Sequence, residues 1–170
     1  MKSVSGPTGW QVRRPDVPSG YGLASPTTGR FIPWEDIRQR LERARNYWIS
    51  TASPRGRPHA APVWGLWVED RFIFSTDHAS QKAVNVRRNA QVVVHLESGD
   101  DVVIVEGTAA VLEDHGRWVG LGNLYREKYG VPLDQGSTYE VVPSRILAWS
   151  EADYPSSATK WERSRGDEAS

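Results

Sequence analysis

Residues 47–76 read YWISTASPRGRPHAAPVWGLWVEDRFIFST, and the punctuation of this stretch decides the fold. Tyr47–Ser53 is β-branched and aromatic, the composition of a strand. Pro54-Arg55-Gly56-Arg57 turns it. Pro58–Val68 is the next strand, and Pro62 marks an edge or a bulge within it because proline cannot donate to a ladder. Glu69-Asp70 then turns the chain into Arg71–Thr76.

The same reading extends outward in both directions. Downstream, Ala79–Arg88 is a short helix, and Gln91–Leu96 and Asp101–Leu112 are strands joined by the acidic turn Glu97–Asp100. Glu113–Tyr129 is an amphipathic helix with Trp118, Leu121, Leu124 and Tyr125 on its apolar side, stopped by Gly130-Val131-Pro132. Thr138–Trp149 is the last strand. Upstream, Pro33 followed by Trp34, Glu35 and Asp36 starts a helix that shows Ile37, Leu41 and Ala44 on one face. Six strands joined by short turns, without βαβ alternation over the first half, predict a mainly β (α+β) chain. Its antiparallel sheet closes most easily as a small barrel with flanking helices. Residues 1–30, rich in Gly, Pro and Ser, read as a flexible arm, residues 31–150 as the barrel domain, and residues 151–170 as a polar tail.

Composition narrows the function. The 21 basic and 21 acidic residues cancel, so no global field draws the chain to nucleic acid or to an anionic membrane. The chain has no cysteine, which removes disulfides, thiolate metal sites and thiol nucleophiles; a cytoplasmic location is the simplest reading. No apolar run is long enough to cross a bilayer. The histidines at 59, 78, 95 and 115 never approach a His-x-x-x-His spacing, so no metal is expected. Neither a Gly-x-Ser-x-Gly elbow nor a Gly-x-x-x-x-Gly-Lys loop occurs, and Ser157-Ala158-Thr159-Lys160 is an isolated Ser-x-x-Lys string.

One cluster does carry chemistry. Lys82, one of four lysines, lies in the first turn of the predicted helix 79–88, with Ser80 just upstream and Asn85 one turn on. Ser75 and Thr76 finish the preceding strand. One cation with several short donors is what phosphate recognition requires; the alternative is a capped surface helix in which Ser80 is only a cap and Lys82 only a solvated charge. In Ala61-Pro62-Val63-Trp64-Gly65-Leu66-Trp67 the proline frees backbone groups for a planar ligand edge. Trp64 and Trp67 fall on opposite faces of a regular strand, so only one of them can face a ligand.

At these residues the chain resembles the flavin and deazaflavin oxidoreductases of the pyridoxamine 5′-phosphate oxidase-like superfamily. The likeness rests on Ser50-Thr51, Gly56-Arg57-Pro58-His59, Pro62-Val63-Trp64 and Phe74-Ser75-Thr76. It continues through Ser80-x-Lys82-x-x-Asn85, Val103–Gly107 and Pro143-Ser144-Arg145-Ile146, with a weaker echo at Thr159-Lys160-Trp161. The resemblance implies a six-stranded split β-barrel of the FMN-binding type that forms a homodimer with cofactor sites in the dimer cleft. Ser75, Thr76, Ser80, Lys82 and Asn85 would hold the cofactor phosphate. Ser50, Thr51 and the backbone of Pro62, Val63 and Trp64 would flank the ring, and Asp101, Lys160 and Trp161 would come from the partner subunit. Gln81 stands where pyridoxamine phosphate oxidases typically carry arginine, so oxidation of pyridoxamine phosphate is not expected.

The chain is more similar to the actinobacterial branch that uses coenzyme F420, whose anionic tail Arg55 and Arg57 would meet. The implied activity is an F420-dependent reduction of a small conjugated acceptor by hydride transfer. Trp64 would stack on a ring and His59 would donate a proton. The alternatives are an FMN-binding oxidoreductase and a non-catalytic cofactor-binding protein.

Overall fold

The computed structural model describes residues 6–16, 18, 29–134 and 137–164. Strand β2 (Tyr47–Ala52) alternates strictly, turning Tyr47, Ile49 and Thr51 inward and Trp48, Ser50 and Ala52 outward. It pairs antiparallel with β3 (Pro58–Val63) from Tyr47↔Val63 to Ala52↔Pro58, and on its other side with β6 (Gln91–His95). The sheet continues through β7 (Asp101–Val111) to β8 (Thr138–Ser150). There it branches: the first residues of β8 pair with β5 (Arg71–Ser75), which pairs with β4 (Gly65–Val68). A bulge between Glu106 and Gly107 lets β7 follow β8 around this corner. A Cβ at Gly107 would lie 2.2 Å from the Val142 carbonyl oxygen, so only glycine fits there.

The predicted strand 58–68 is therefore two strands, interrupted by the single residue Trp64. Pro62 sits in β3, the last strand of the sheet order, where its missing N–H costs no ladder bond. The strand path β3–β2–β6–β7–β8–β5–β4 returns to its start by covalent continuity through Trp64.

Helix α1 (Trp34–Arg43) buries Trp34, Ile37 and Leu41 in the main core, with Glu35 and Asp36 in its first turn, where carboxylates suit the helix dipole. Helix α2 (Gln81–Val86) packs on β2 and β3. Helix α3 (Trp118–Tyr129) ends at Gly130, whose left-handed φ of 76° allows its N–H to reach the Arg126 carbonyl. Leu66 and Ile73 face α3 in a second apolar cluster while Trp67, Phe72 and Phe74 face the main core. Apolar packing on both sides explains why β4 and β5 read as unbroken hydrophobic runs.

Two further strands lie outside the six predicted. Trp10–Arg13 (β1), inside the expected arm, pairs antiparallel with Thr159–Arg163 (β9), inside the expected polar tail. The described residues thus form nine strands rather than six, and the tail is structural. Trp161 is 1% exposed and meets Trp34 edge-on at 5.5 Å, while the Thr159 hydroxyl accepts the Ile32 N–H at 2.8 Å. Arg14 clamps the tail by donating to the carbonyls of Ser156 and Ala158 at 2.6 and 2.8 Å. Four residues are too few to show a period, and their partner lies at the far end of the chain, so composition alone misses this pair. Among the described residues, no helix is long and apolar enough to cross a membrane.

Candidate functional site

The turn after β5 is built from side chains bonding to their own neighbourhood. The Ala79 N–H donates to the Asp77 carboxylate at 2.6 Å, and the Ser80 hydroxyl caps α2 by accepting the Ala83 N–H at 3.3 Å. Thr76 donates its hydroxyl to Ser80 at 3.1 Å, and the Lys82 ammonium donates to Thr76 Oγ1 at 3.1 Å. An ammonium has three donors. Among the described residues one is spent on Thr76, which leaves two for a ligand.

Lys82, Thr76 and Ser75 form one side of a cleft of about 420 Å³, and Pro62, Val63 and Trp64 form another. This volume lies in the range of small-molecule sites. The sequence separates these two groups by more than ten residues; the β4–β5 hairpin folds one back onto the other. Asn46 and Tyr125 complete the lining, and neither was expected there. Tyr125 belongs to the apolar stripe of α3, and no local signal distinguishes a stripe tyrosine that reaches a cleft from one that stays in the core.

Other expected members are placed elsewhere. Asn85 is 2% exposed and donates to the Thr51 hydroxyl at 2.9 Å, while Gln81 donates to Asn85 at 2.8 Å. These three fasten α2 to β2, so Asn85 does not join Lys82 in facing a ligand. Ser50 and Thr51 point to opposite faces of β2, as alternation demands of adjacent strand residues, and cannot flank the same ring. Arg55 and Arg57 lie exposed in the β2–β3 turn, outside the lining of the cleft. Half-buried His59 is opposite Thr51 on β3 and also lies outside that lining. Asp101 starts β7, with Arg40 3.7 Å away. Lys160 pairs with Glu162 at 3.3 Å, and Trp161 is buried in the core of its own chain.

A larger concavity, about 590 Å³, opens beside β1, β8 and β9 between Arg13, Arg145, Arg163, Glu106 and Glu162. Arg145 pairs there with Glu106 and Glu162 with Lys160, whereas the smaller cleft sets a lysine beside hydroxyls and an indole in one lining, which makes it the better ligand site.

Burial raises the phenol pKa of Tyr125 and of Tyr129 behind it, and raises that of Tyr47 beyond the ordinary tyrosine range. These phenols stay protonated at neutral pH and act as hydrogen-bonding groups rather than bases. Among the described residues no three His, Cys, Asp or Glu side chains gather where they could hold a metal ion. The cleft can bind and orient an anionic, planar ligand that brings its own reactivity.

Comparison with known proteins agrees with this architecture. The sequence profile of the pyridoxamine 5′-phosphate oxidase family matches residues 33–153. No curated protein matches the chain. Among solved structures, a conserved hypothetical protein from Mycobacterium tuberculosis is similar at 26% identity with a TM-score of 0.61, over 73% of this chain and 90% of that one. The heme storage protein HutZ from Vibrio cholerae is similar at 16% identity with a TM-score of 0.56, over 67% and 90%. An F420 reductase is similar at 21% identity with a TM-score of 0.51, over 64% and 94%. The last two likenesses show the fold alone.

Proposed function

The chain belongs to the pyridoxamine 5′-phosphate oxidase family, and from that premise we propose that it is an F420-dependent reductase acting on a small conjugated acceptor. One observation carries the reading. Lys82 keeps two free donors beside the hydroxyls of Ser75 and Thr76, at one side of a cleft whose other side is the Pro62–Trp64 backbone. This donor set fits a phosphate joined to a planar ring. Lys82, Ser75 and Thr76 hold the phosphate, Val63 and Trp64 set the depth of the ring, and Tyr125 keeps a neutral phenol in the wall. The bound deazaflavin supplies the hydride, and the protein supplies position and a site shielded from water. That division of labour is consistent with the lack of a paired acid and base in the cleft lining.

Arg55 and Arg57, exposed in the turn after β2, suit the anionic tail that distinguishes F420 from FMN. Fluorescence titration of the cofactor-free protein with F420 and with FMN tests the assignment. Tighter F420 binding is expected. Selective FMN binding would move the protein to a flavin-dependent activity, and binding of neither would remove the cofactor site altogether. A chain without cysteine suits a reducing cytoplasm.

The same reading makes the protein a homodimer. Across the outward face of the sheet, Trp48, His95, Ile104 and Leu147 lie in register as one cross-strand row, each half-buried in the single chain. Three of the four are large and apolar, the composition of an interface core. Ile104→Glu places a charge in the middle of this row and is expected to yield a monomer by sedimentation. A wild-type protein that sediments as a monomer at micromolar concentration would defeat the proposal.

A further inference from the structure

The last turn of α3 is tied to the backbone around the cleft, above all to Gly65, the residue after Trp64. Lys128 donates to the Tyr47 hydroxyl at 2.9 Å and to the carbonyls of Gly65 and Glu42 at 3.0 and 3.2 Å. The Tyr129 hydroxyl lies 2.7 Å from the Arg45 carbonyl and 2.9 Å from the Gly65 carbonyl, sharing its proton between them, and accepts the Gly65 N–H at 3.0 Å. Both polar groups of Gly65 are therefore held from α3. Gly65 has no room for a side chain either, since a Cβ there would lie 2.4 Å from the Phe72 ring. Burial pushes the Lys128 ammonium down to about 8, while the charge of Glu42 favours its protonated form.

Gly65 follows Trp64 at the strand break, so this brace fixes where the indole sits. One face of Trp64 stacks on Tyr129, with centroids 4.8 Å apart and planes 10° apart. The Arg45 guanidinium is 5.5 Å from the Trp64 centroid and 5.8 Å from the Tyr129 centroid, which places it beside the stack and not on top of it. Trp64 is 39% exposed and lines the cleft, so its second face is free. A large aromatic braced in this way loses little conformational entropy when a ligand lies on it.

We propose that Trp64 is the platform on which a planar aromatic carboxylate stacks, with Arg45 meeting the carboxylate at the edge, and that Tyr129 and Lys128 are positioning residues for it. This narrows the acceptor to the class of planar aromatic acids and rests on the reading of this cleft as the ligand site.

Calorimetric titration of the full chain with 2-naphthoate and with its uncharged amide tests the inference. The wild type is expected to prefer the acid about fivefold through a charge-assisted contact. Trp64→Ala weakens the binding of both probes about tenfold by removing the stacked surface. Arg45→Gln erases the preference for the acid and leaves amide binding unchanged, a result that a loss of structure would not give. Tyr129→Phe keeps the ring but frees Gly65 and lowers affinity, and Lys128→Met does the same where Lys128→Arg restores it. Equal binding by Trp64→Ala and wild type, an acid preference that survives Arg45→Gln, or no binding of 2-naphthoate by the wild type would each overturn the proposal. F420 titrations on the same variants separate it from the cofactor assignment. Naphthoate binding that depends on Trp64, without F420 binding, upholds the platform and sinks the cofactor; F420 binding without that dependence does the reverse.

Discussion

Lys82→Ala is expected to weaken F420 binding roughly 10- to 150-fold, the equivalent of about 1.5–3 kcal/mol for charge-assisted hydrogen bonds. The ammonium is the cation in the cleft lining, and two of its donors are free. Folding stability should change by about 0.5 kcal/mol or less, because Thr76 keeps its bond to Ser80 when the lysine is gone. Lys82→Gln retains a donor without the charge and should fall between the two. A dissociation constant that does not move in Lys82→Ala, measured by the same fluorescence titration, would exclude a phosphate at this end of the cleft.

The second large effect is on stability. Trp161→Ala removes a side chain that is 1% exposed and packs against Trp34, so a loss of about 3–5 kcal/mol is expected. For a chain of this size that lowers the melting temperature by about 6–20 °C. Thermal and urea unfolding both report it. Had Trp161 been a cofactor contact, the same substitution would have cost affinity and spared stability. A stability loss below about 1 kcal/mol would mean that Trp161 is not the core residue its burial indicates.

These two residues show what the sequence could and could not convey. The strands from Tyr47 to Ser150 are legible because each carries β-branched and aromatic residues between turn formers, even β4 and β5, where burial on both faces erases the alternation. The break at Trp64 is not legible, since Pro62 is the stronger local signal and the interruption falls two residues later. Ser75, Thr76 and Lys82 are legible together because a strand end followed by a capped helix brings them within reach through local geometry. Asn85 shares the helix, but helical position sets only the direction of a side chain, and here that direction meets Thr51 instead of open space. The pair Ser50 and Thr51 is a different kind of miss: period-two alternation already forbids both from facing one ligand. Tyr125, Tyr129 and Lys128 reach the cleft or its frame only through the docking of α3. That contact is non-local, and no window of sequence contains it.

The pairing of β1 with β9 has a consequence for how the molecule is made. Trp10 lies opposite Arg163, so this pair closes a loop of about 150 residues. Loop closure costs entropy before any contact rewards it, and ladders of such high contact order form slowly. Until residues 159–163 leave the ribosome, Trp34 lacks the Trp161 ring and β8 keeps an open edge over Arg145–Ala148. Trp34 therefore stays uncovered from its own synthesis until residue 161 follows, and the edge of β8 stays open until residues 159–163 join it, the kind of surface that chaperones bind and that aggregation exploits.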